Sequence, residues 1–103
     1  MSYAFTYEVP IGPDVYARIK EGLGAEPPKG LVAHLAYRTE AGLRYVDVWE
    51  SEADWEAFVE ERLHPVVDGV LTETLGFRPP EPPLERLDLV DAWIGERARG
   101  TMG

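Results

Sequence analysis

The order of strand-like and helix-like hydrophobic patterns most limits the fold of this chain of 103 residues. Apolar and polar residues alternate with a period of two over residues 3 to 9, as in a strand. Gly12-Pro13 then predicts the start of a helix, apolar residues recur at helical spacing from Val15 to Leu23, and Gly22 or Gly24 can end it. The pattern then predicts strands at 31–38 and 43–50, two helical pieces between 52 and 75, and a strand at 84–94.

This β-α-β-β-α-β order predicts one ferredoxin-like α+β domain over residues 1–103, with a proline-rich linker at 78–83 and a C-terminal tail at 96–103. Right-handed crossovers place both helices on one face of a four-stranded antiparallel sheet. The other face stays bare, and an exposed apolar sheet face is a liability for a monomer. We therefore expect a homodimer that closes an α/β barrel by packing the two bare faces together.

The two middle strands are expected to form a hairpin that sorts their side chains onto two faces. If Ala41 and Gly42 make a two-residue loop, Glu40 pairs with Leu43, and the other partners follow by counting outwards. Leu35 and Tyr37 then share a face with Val46 and Val48. The opposite face carries the more polar and aromatic set: His34, Ala36, Arg38, Tyr45, Asp47 and Trp49.

Ser51 predicts the start of the second helix, because its side chain can cap the helix and Asp54 follows three residues later. The residue before a proline is disfavoured in the α conformation, so His64-Pro65 predicts an interruption. In a regular helix His64 lies opposite the apolar stripe and serves as an exposed end cap. The interruption offers the alternative that His64 swings over a pocket mouth and takes part in catalysis.

The composition excludes several classes of function. A formal net charge of −9 opposes binding to nucleic acid or to an anionic membrane. No apolar run approaches the roughly 18 residues of a membrane span, and residues 1 to 8 lack the pattern of a signal peptide, so we expect a cytoplasmic protein. With no cysteine, two histidines outside any metal-binding spacing and no phosphate-binding loop, the sequence predicts neither a metal nor a nucleotide cofactor.

Asparagine and glutamine are both missing from the chain, which also contains nine prolines. Few thermolabile side chains and proline-rich connections are typical of heat-adapted proteins. Nucleotide composition is the alternative cause, since eight of the ten basic residues are arginine.

His34 is the strongest candidate for a catalytic residue, because it interrupts an apolar strand on the face that also carries Asp47. A histidine within reach of a carboxylate can act as the base that removes a phenolic proton. The alternative is a structural histidine hydrogen-bonded to Asp47. Aromatic walls suit a flat ligand, although aromatic residues also dominate ordinary cores. The predicted ligand-contacting residues are Tyr45, Trp49, Trp55, Arg38 and Phe58.

Several segments resemble the antibiotic-biosynthesis-monooxygenase-like members of the dimeric α/β-barrel superfamily, over roughly residues 3 to 94. They are Gly30 to His34, Tyr45 to Ser51, Trp55, Phe58-Val59 and Leu63 to Pro65. The resemblance implies a homodimeric barrel with a hydrophobic pocket between sheet and helices in each subunit. It also implies oxidation of electron-rich aromatic or polyketide substrates by molecular oxygen without an added cofactor, or else binding and degradation of haem; other relatives are isomerases or stress proteins.

The chain departs from this family at positions that matter for chemistry. The haem-degrading branch uses an asparagine on its first strand, and a tryptophan and a histidine on its second helix. Aligned on Trp49, these two helical positions fall on Phe58 and near Asp68, and the chain has no asparagine. The expected function is therefore a cofactor-independent oxygenase with His34 as base, or a non-catalytic dimeric ligand-binding protein that uses the same cavity. Haem binding or degradation is a third, less favoured alternative.

Overall fold

A four-stranded antiparallel sheet forms the framework of this α+β chain, whose computed structural model describes residues 2–77 and 79–95. The strands lie in the order β2-β3-β1-β4, an arrangement compatible with the predicted ferredoxin-like fold. The first helix connects β1 to β2, and the second connects β3 to β4. The elements are β1 (Tyr3–Val9), α1 (Pro13–Leu23), β2 (Leu31–Arg38), β3 (Leu43–Trp49), α2 (Glu52–Phe58), a π-helical segment (Val59–Leu63), α3 (His64–Leu75) and β4 (Glu85–Leu87).

Odd-numbered side chains of β1 and β3 form the core together with the helices, because residues two apart on a strand point to the same face. One cluster joins α1 and α3 to the end of the sheet where β3 begins, around Ile19, Leu71 and Tyr45. A second cluster joins α2 to the opposite end of the sheet, where β3 ends and where Phe5 and Trp49 are almost completely buried. The aromatic character of both clusters follows from the strand alternation seen in the sequence.

The hairpin register differs from the predicted one by two residues. Glu40 and Ala41 form the loop, Thr39 and Gly42 exchange backbone hydrogen bonds of 2.9 and 3.3 Å, and Arg38 rather than Glu40 pairs with Leu43. Gly42 directly precedes β3; a Cβ there would collide with the Val9 carbonyl at the end of β1, and its φ of +152° also favours glycine. A shift of two residues keeps every side chain on its predicted face.

A β-bulge interrupts β2 near its start. Leu31 lies opposite Trp49 and Ala33 lies opposite Val48, so Val32 is an extra residue on this strand. The bulge turns both Leu31 and His34 towards the helices, although their numbers differ by three. Leu31 joins the second core cluster as a result.

The prediction of an interruption at His64-Pro65 is wrong, because His64 is helical, with φ −57° and ψ −48°. The helix runs from α2 through the π-helical segment into α3 without a break. The His64 N–H donates to the carbonyl of Val59, five residues earlier. This wider turn lies where the ring of Pro65 meets the preceding backbone, which explains how the helix accommodates the proline.

The fourth strand is shorter than predicted: only Glu85–Leu87 pairs with β1, and residues 88–95 form no regular structure. Leu87 lies opposite Ala4, so the pairing ends one residue short of Tyr3, the first residue of β1. Val90 and Trp93 are consequently 94% and 93% exposed. Residues 79–84 lie outside helices and strands, whereas Arg78 of the predicted linker and the predicted tail at 96–103 fall outside the described residues.

The face of the sheet turned away from the helices exposes large apolar side chains. Leu35 and Tyr37, on the edge strand β2, are 57% and 51% exposed, and their neighbour Val46 is half-buried. We call Leu35, Tyr37 and Val46 the outer patch. Every helix within the described ranges is too short or too polar to cross a lipid bilayer.

Candidate functional site

His34 and Asp47 form a hydrogen-bonded pair in the middle of the sheet. They lie directly opposite each other on β2 and β3, and His34 Nδ1 is 2.7 Å from Asp47 Oδ1. The corrected hairpin register produces this pairing, since the predicted register placed Ala36 opposite Asp47. Asp47 is 4% exposed, whereas the His34 side chain keeps 24% of its surface exposed. The pair therefore joins a buried carboxylate to an imidazole that solvent can reach.

The second oxygen of Asp47 is held by Trp49. The indole Nε1–H donates to Asp47 Oδ2 over 3.1 Å, because residues two apart on β3 project from the same face. Both carboxylate oxygens thus have a donor, which offsets the cost of burying the group. Trp49, a predicted ligand contact, is 1% exposed and helps to fix the orientation of the carboxylate.

Tyr16 of α1 hydrogen-bonds to the other ring nitrogen of His34 and was not among the predicted site residues. Its hydroxyl oxygen lies 2.8 Å from His34 Nε2, and the two ring planes are only 9° from parallel. In the sequence Tyr16 belongs to the apolar stripe of the first helix. The one available signal was its hydroxyl group, since a tyrosine turned towards a core usually needs a hydrogen-bond partner.

The three side chains define where the protons lie. An ionised Asp47 accepts hydrogen bonds only, so His34 Nδ1–H donates to it, as Trp49 also does. The neutral imidazole then presents Nε2 as an acceptor, and the Tyr16 hydroxyl donates to it. This network, Asp47–His34–Tyr16, can pass a proton from the phenol to the imidazole, and we refer to it as the relay.

Tyr16 of the relay and its neighbours Tyr7 and Tyr45 resist ionisation. Burial raises the pKa of Tyr7 well above its ordinary value of 10.0, and the charge of Asp47 adds to the effect. Burial likewise raises the pKa of Tyr45, followed by its neighbour Tyr16 and by Asp47, and burial and then Asp47 raise the pKa of Tyr16. The tyrosines therefore remain neutral hydrogen-bonding groups near neutral pH.

These raised pKa values predict that the fold loses stability in alkali. Above about pH 10 the unfolded chain releases phenolic protons that the folded chain retains, so the free energy of unfolding should fall as the pH rises. For Tyr7 the slope is about 1.4 kcal/mol per pH unit until its folded pKa is reached. Urea unfolding between about pH 8 and pH 11 measures it. Tyr7→Phe should flatten the dependence, and the exposed Tyr37→Phe should not; equal slopes in all three proteins would contradict this account.

An open strip of β2 lies beside the relay. Ala36 and Arg38 project from the same face as His34 and are exposed, so no helix covers this part of the sheet edge. We call His34, Ala36 and Arg38 the shelf; it spans about 13 Å from the rise of four strand residues. Beyond Arg38 it meets a shallow depression of about 340 Å³ lined by residues 10–13 and 38–42. The predicted ligand contact Arg38 therefore lies at the far end of the shelf rather than against His34.

The remaining predicted ligand contacts lie in or near the core. The Tyr45 ring is 5.2 Å from the imidazole of His34, edge to face. Trp55 and Phe58 pack on Trp49 with ring centroids 5.5 and 5.3 Å away. Tyr45 is therefore a direct neighbour of the relay, whereas Trp55 and Phe58 pack on Trp49, which in turn holds Asp47.

His64 belongs to a different part of the surface. Its Nε2 hydrogen-bonds to a carboxylate oxygen of Glu81, which links the beginning of α3 to the proline-rich segment. Its side chain is 41% exposed. The structure gives His64 this linking contact and does not bring it into the relay.

The described ranges contain no group of three or more histidine, cysteine, aspartate or glutamate side chains that could hold a metal ion. The polar atoms of the relay are already directed at one another. What the arrangement offers chemically is therefore proton transfer between an exposed edge and a buried carboxylate.

The sequence matches no protein-family model and no curated protein. The likeness to the antibiotic-biosynthesis-monooxygenase-like proteins accordingly stays a prediction.

Proposed function

We propose that this chain is a small enzyme that removes a proton from a phenolic or enolisable aromatic ligand and lets the resulting anion react with molecular oxygen. The observation that carries the proposal is the relay, which runs from buried Asp47 through His34 to Tyr16. A histidine oriented by a carboxylate is a base suited to neutral pH. The proposed reaction involves no added cofactor.

In the proposed step the ligand hydroxyl donates to the Tyr16 oxygen while the Tyr16 proton moves to His34 Nε2. Since burial and Asp47 raise the pKa of Tyr16, a free tyrosinate is unfavourable, and the two protons move together. The imidazolium formed on His34 lies 2.7 Å from Asp47, whose negative charge stabilises it. The ligand is left as a phenolate or enolate, and the relay returns the proton later.

The shelf supplies a surface for the ligand. A flat ring laid over Ala36 has its acidic hydroxyl near Tyr16 and His34, and Arg38 beyond it can pair with a negatively charged substituent. The small side chain of Ala36 leaves room for a ring against the strand. This placement favours aromatic ligands that carry an acidic hydroxyl at one end and a carboxylate or second hydroxyl at the other.

In the proposed reaction molecular oxygen reacts directly with the ligand anion, which supplies the electrons. An electron-rich carbanionic carbon adds O2 to give a hydroperoxide, which loses water and leaves a carbonyl group. A methylene carbon and O2 thus yield a carbonyl and one water, so that atoms and electrons balance. This part of the proposal rests on the resemblance of the sequence to cofactor-independent oxygenases.

Oxygen uptake with a panel of dihydroxyaromatic and anthrone-type compounds tests the function. We expect turnover by the wild type and a loss of about 10²-fold in kcat/KM for Tyr16→Phe, which removes the group that meets the ligand. Tyr3→Phe is the matched control, because it removes a hydroxyl from the second core cluster away from His34. Similar rates for Tyr16→Phe and the wild type would reject the relay as the catalytic device.

A second candidate is a dimeric binding protein without catalysis. It is favoured by the fact that both ring nitrogens of His34 already have protein partners, as in an ordinary structural histidine. Binding of the same aromatic compounds, measured by calorimetry, together with zero oxygen uptake would identify this function.

We also propose that the active form is a homodimer in which the outer patch is covered by a second copy. Leu35 and Tyr37 are more than half exposed on a sheet face, where an apolar patch favours association. A two-fold axis lets the same patch cover itself on both subunits. The net charge of −9 makes two copies repel each other, and the outer patch itself contains no charged residue that would add to this repulsion.

Leu35→Glu should convert the dimer to a monomer. A carboxylate buried without a partner in the interface should raise the dissociation constant by at least about 100-fold. Sedimentation velocity measures the change. Leu75→Glu, at an exposed position on the helical side, is the control and should keep the dimer. A wild-type chain that sediments as a monomer would disprove the dimer and leave the relay chemistry to its own test.

A further inference from the structure

The hydrogen bond between Tyr16 and His34 has the geometry for a second kind of chemistry, the one-electron oxidation of a phenol. We propose that Tyr16 is a redox-active tyrosine, which gives one electron to an organic radical or similar one-electron oxidant while its hydroxyl proton passes to His34. The O–H bond of Tyr16 breaks, an N–H bond forms at Nε2, and the oxidant is reduced by one electron. The products are a neutral tyrosyl radical and an imidazolium.

The proton acceptor makes this oxidation accessible. A phenol that loses an electron becomes a very strong acid, so oxidation without a nearby base is unfavourable. Loss of the Tyr16 proton before the electron leaves is unfavourable, because burial and the charge of Asp47 raise the pKa of Tyr16. His34 Nε2, 2.8 Å from the hydroxyl oxygen, lets the proton leave in the same step as the electron.

Asp47, which accepts the hydrogen bond from His34, stabilises the imidazolium that the oxidation produces. Once protonated, His34 carries a positive charge 2.7 Å from the buried carboxylate of Asp47. A charge-assisted hydrogen bond of this kind is about twice as strong as a neutral one. The two ring planes are also nearly parallel, 9° apart.

Neighbouring tyrosines provide a route for the electron and are poorer places for the radical. Tyr45 lies 5.6 Å from Tyr16 between ring centroids, and Tyr7 lies 5.1 Å from Tyr45. Within the described part of the chain, Tyr16 is the tyrosine whose hydroxyl is hydrogen-bonded to a histidine. An electron hole formed anywhere in this group should therefore settle on Tyr16.

This activity does not depend on the proposed oxygenase reaction, because any one-electron oxidant in solution suffices. If the enzyme does oxidise aromatic compounds, Tyr16 can reduce radicals that escape from the reaction. Trp49 is the competing site, since its indole N–H donates to Asp47. A tryptophanyl radical would therefore contradict the proposal.

Flash photolysis with a ruthenium polypyridyl complex and a sacrificial electron acceptor tests it. Tyr37 and Trp93 are exposed and would react directly, so the parent protein carries Tyr37→Phe and Trp93→Phe. Optical and electron paramagnetic resonance spectra should show a tyrosyl radical, formed more slowly in D2O than in H2O. Tyr16→Phe should lower its yield at least about tenfold, which corresponds to 1.4 kcal/mol in the driving force or barrier.

His34→Gln separates proton transfer from mere position, because glutamine can hydrogen-bond to Tyr16 without accepting its proton. In this variant the tyrosyl yield should fall and the difference between D2O and H2O should disappear. A tryptophanyl radical in the parent, or an unchanged tyrosyl yield in Tyr16→Phe, would overturn the proposal. Circular dichroism of each variant establishes that it is folded before the photolysis.

Discussion

Phe5→Ala is expected to lower the free energy of unfolding by about 3–5 kcal/mol, a large share of the 5–15 kcal/mol typical of a domain. Phe5 is 0% exposed and touches Tyr3, Tyr7 and Trp55, with ring centroids 4.6 to 5.8 Å away. Its removal leaves a cavity at the centre of the second core cluster, where a β-sheet backbone and a helix hold the walls apart. Urea denaturation of the variant measures the loss.

Phe77→Ala provides the matched control, because the same atoms are removed from a side chain that is 60% exposed. We expect its free energy of unfolding to stay within about 0.5 kcal/mol of the wild type. The contrast isolates burial from the chemistry of the substitution. Equal losses in the two variants would mean that Phe5 does not lie in the core.

His34→Gln is expected to lower kcat/KM for a phenolic substrate by about 10²–10⁴-fold, the usual contribution of a general base. Glutamine can hydrogen-bond to Asp47 or Tyr16 but cannot accept a proton at neutral pH, so the variant keeps a polar side chain at this position and loses the base. The effect should fall mainly on kcat, because the proton moves in the chemical step rather than in binding. Steady-state oxygen uptake measures both constants.

Arg38→Met distinguishes binding from proton transfer at the same site. Arg38 is exposed at the far end of the shelf, so its loss should raise KM for a carboxylated substrate and leave kcat nearly unchanged. If His34→Gln changed KM alone, as Arg38→Met is expected to, then His34 would bind the ligand without acting as a base. Unfolding curves of both variants show whether a change in stability contributes.

Local patterns carried much of the fold. The bounds of β1 and β2 and the start of α1 were predicted from the apolar patterns and from Gly12-Pro13, and the structure confirms them. The placement of His34 on the same face as Asp47 was also predictable, because faces depend only on the parity of the register. The two-residue error in the hairpin left that parity unchanged.

The relay was only half predictable. Asp47 and His34 lie on adjacent strands, and strand pairing can be counted from a turn. Tyr16 lies on another element, 18 residues from His34 in the chain, and its hydroxyl meets the imidazole because α1 crosses this part of the sheet. No spacing in the sequence encodes that crossing position.

The sequence by itself determined the order of the elements, the apolar faces and which residues share a sheet face with His34, since these depend on the residue types and their periodicity. The tertiary structure decided where β4 stops, how the helix passes Pro65, and which donor meets His34. The physical reason is that these features depend on backbone or side-chain groups distant in the chain. The length of β4 depends on which of its residues meet β1, and the Tyr16 hydroxyl meets His34 only after helix and sheet have packed.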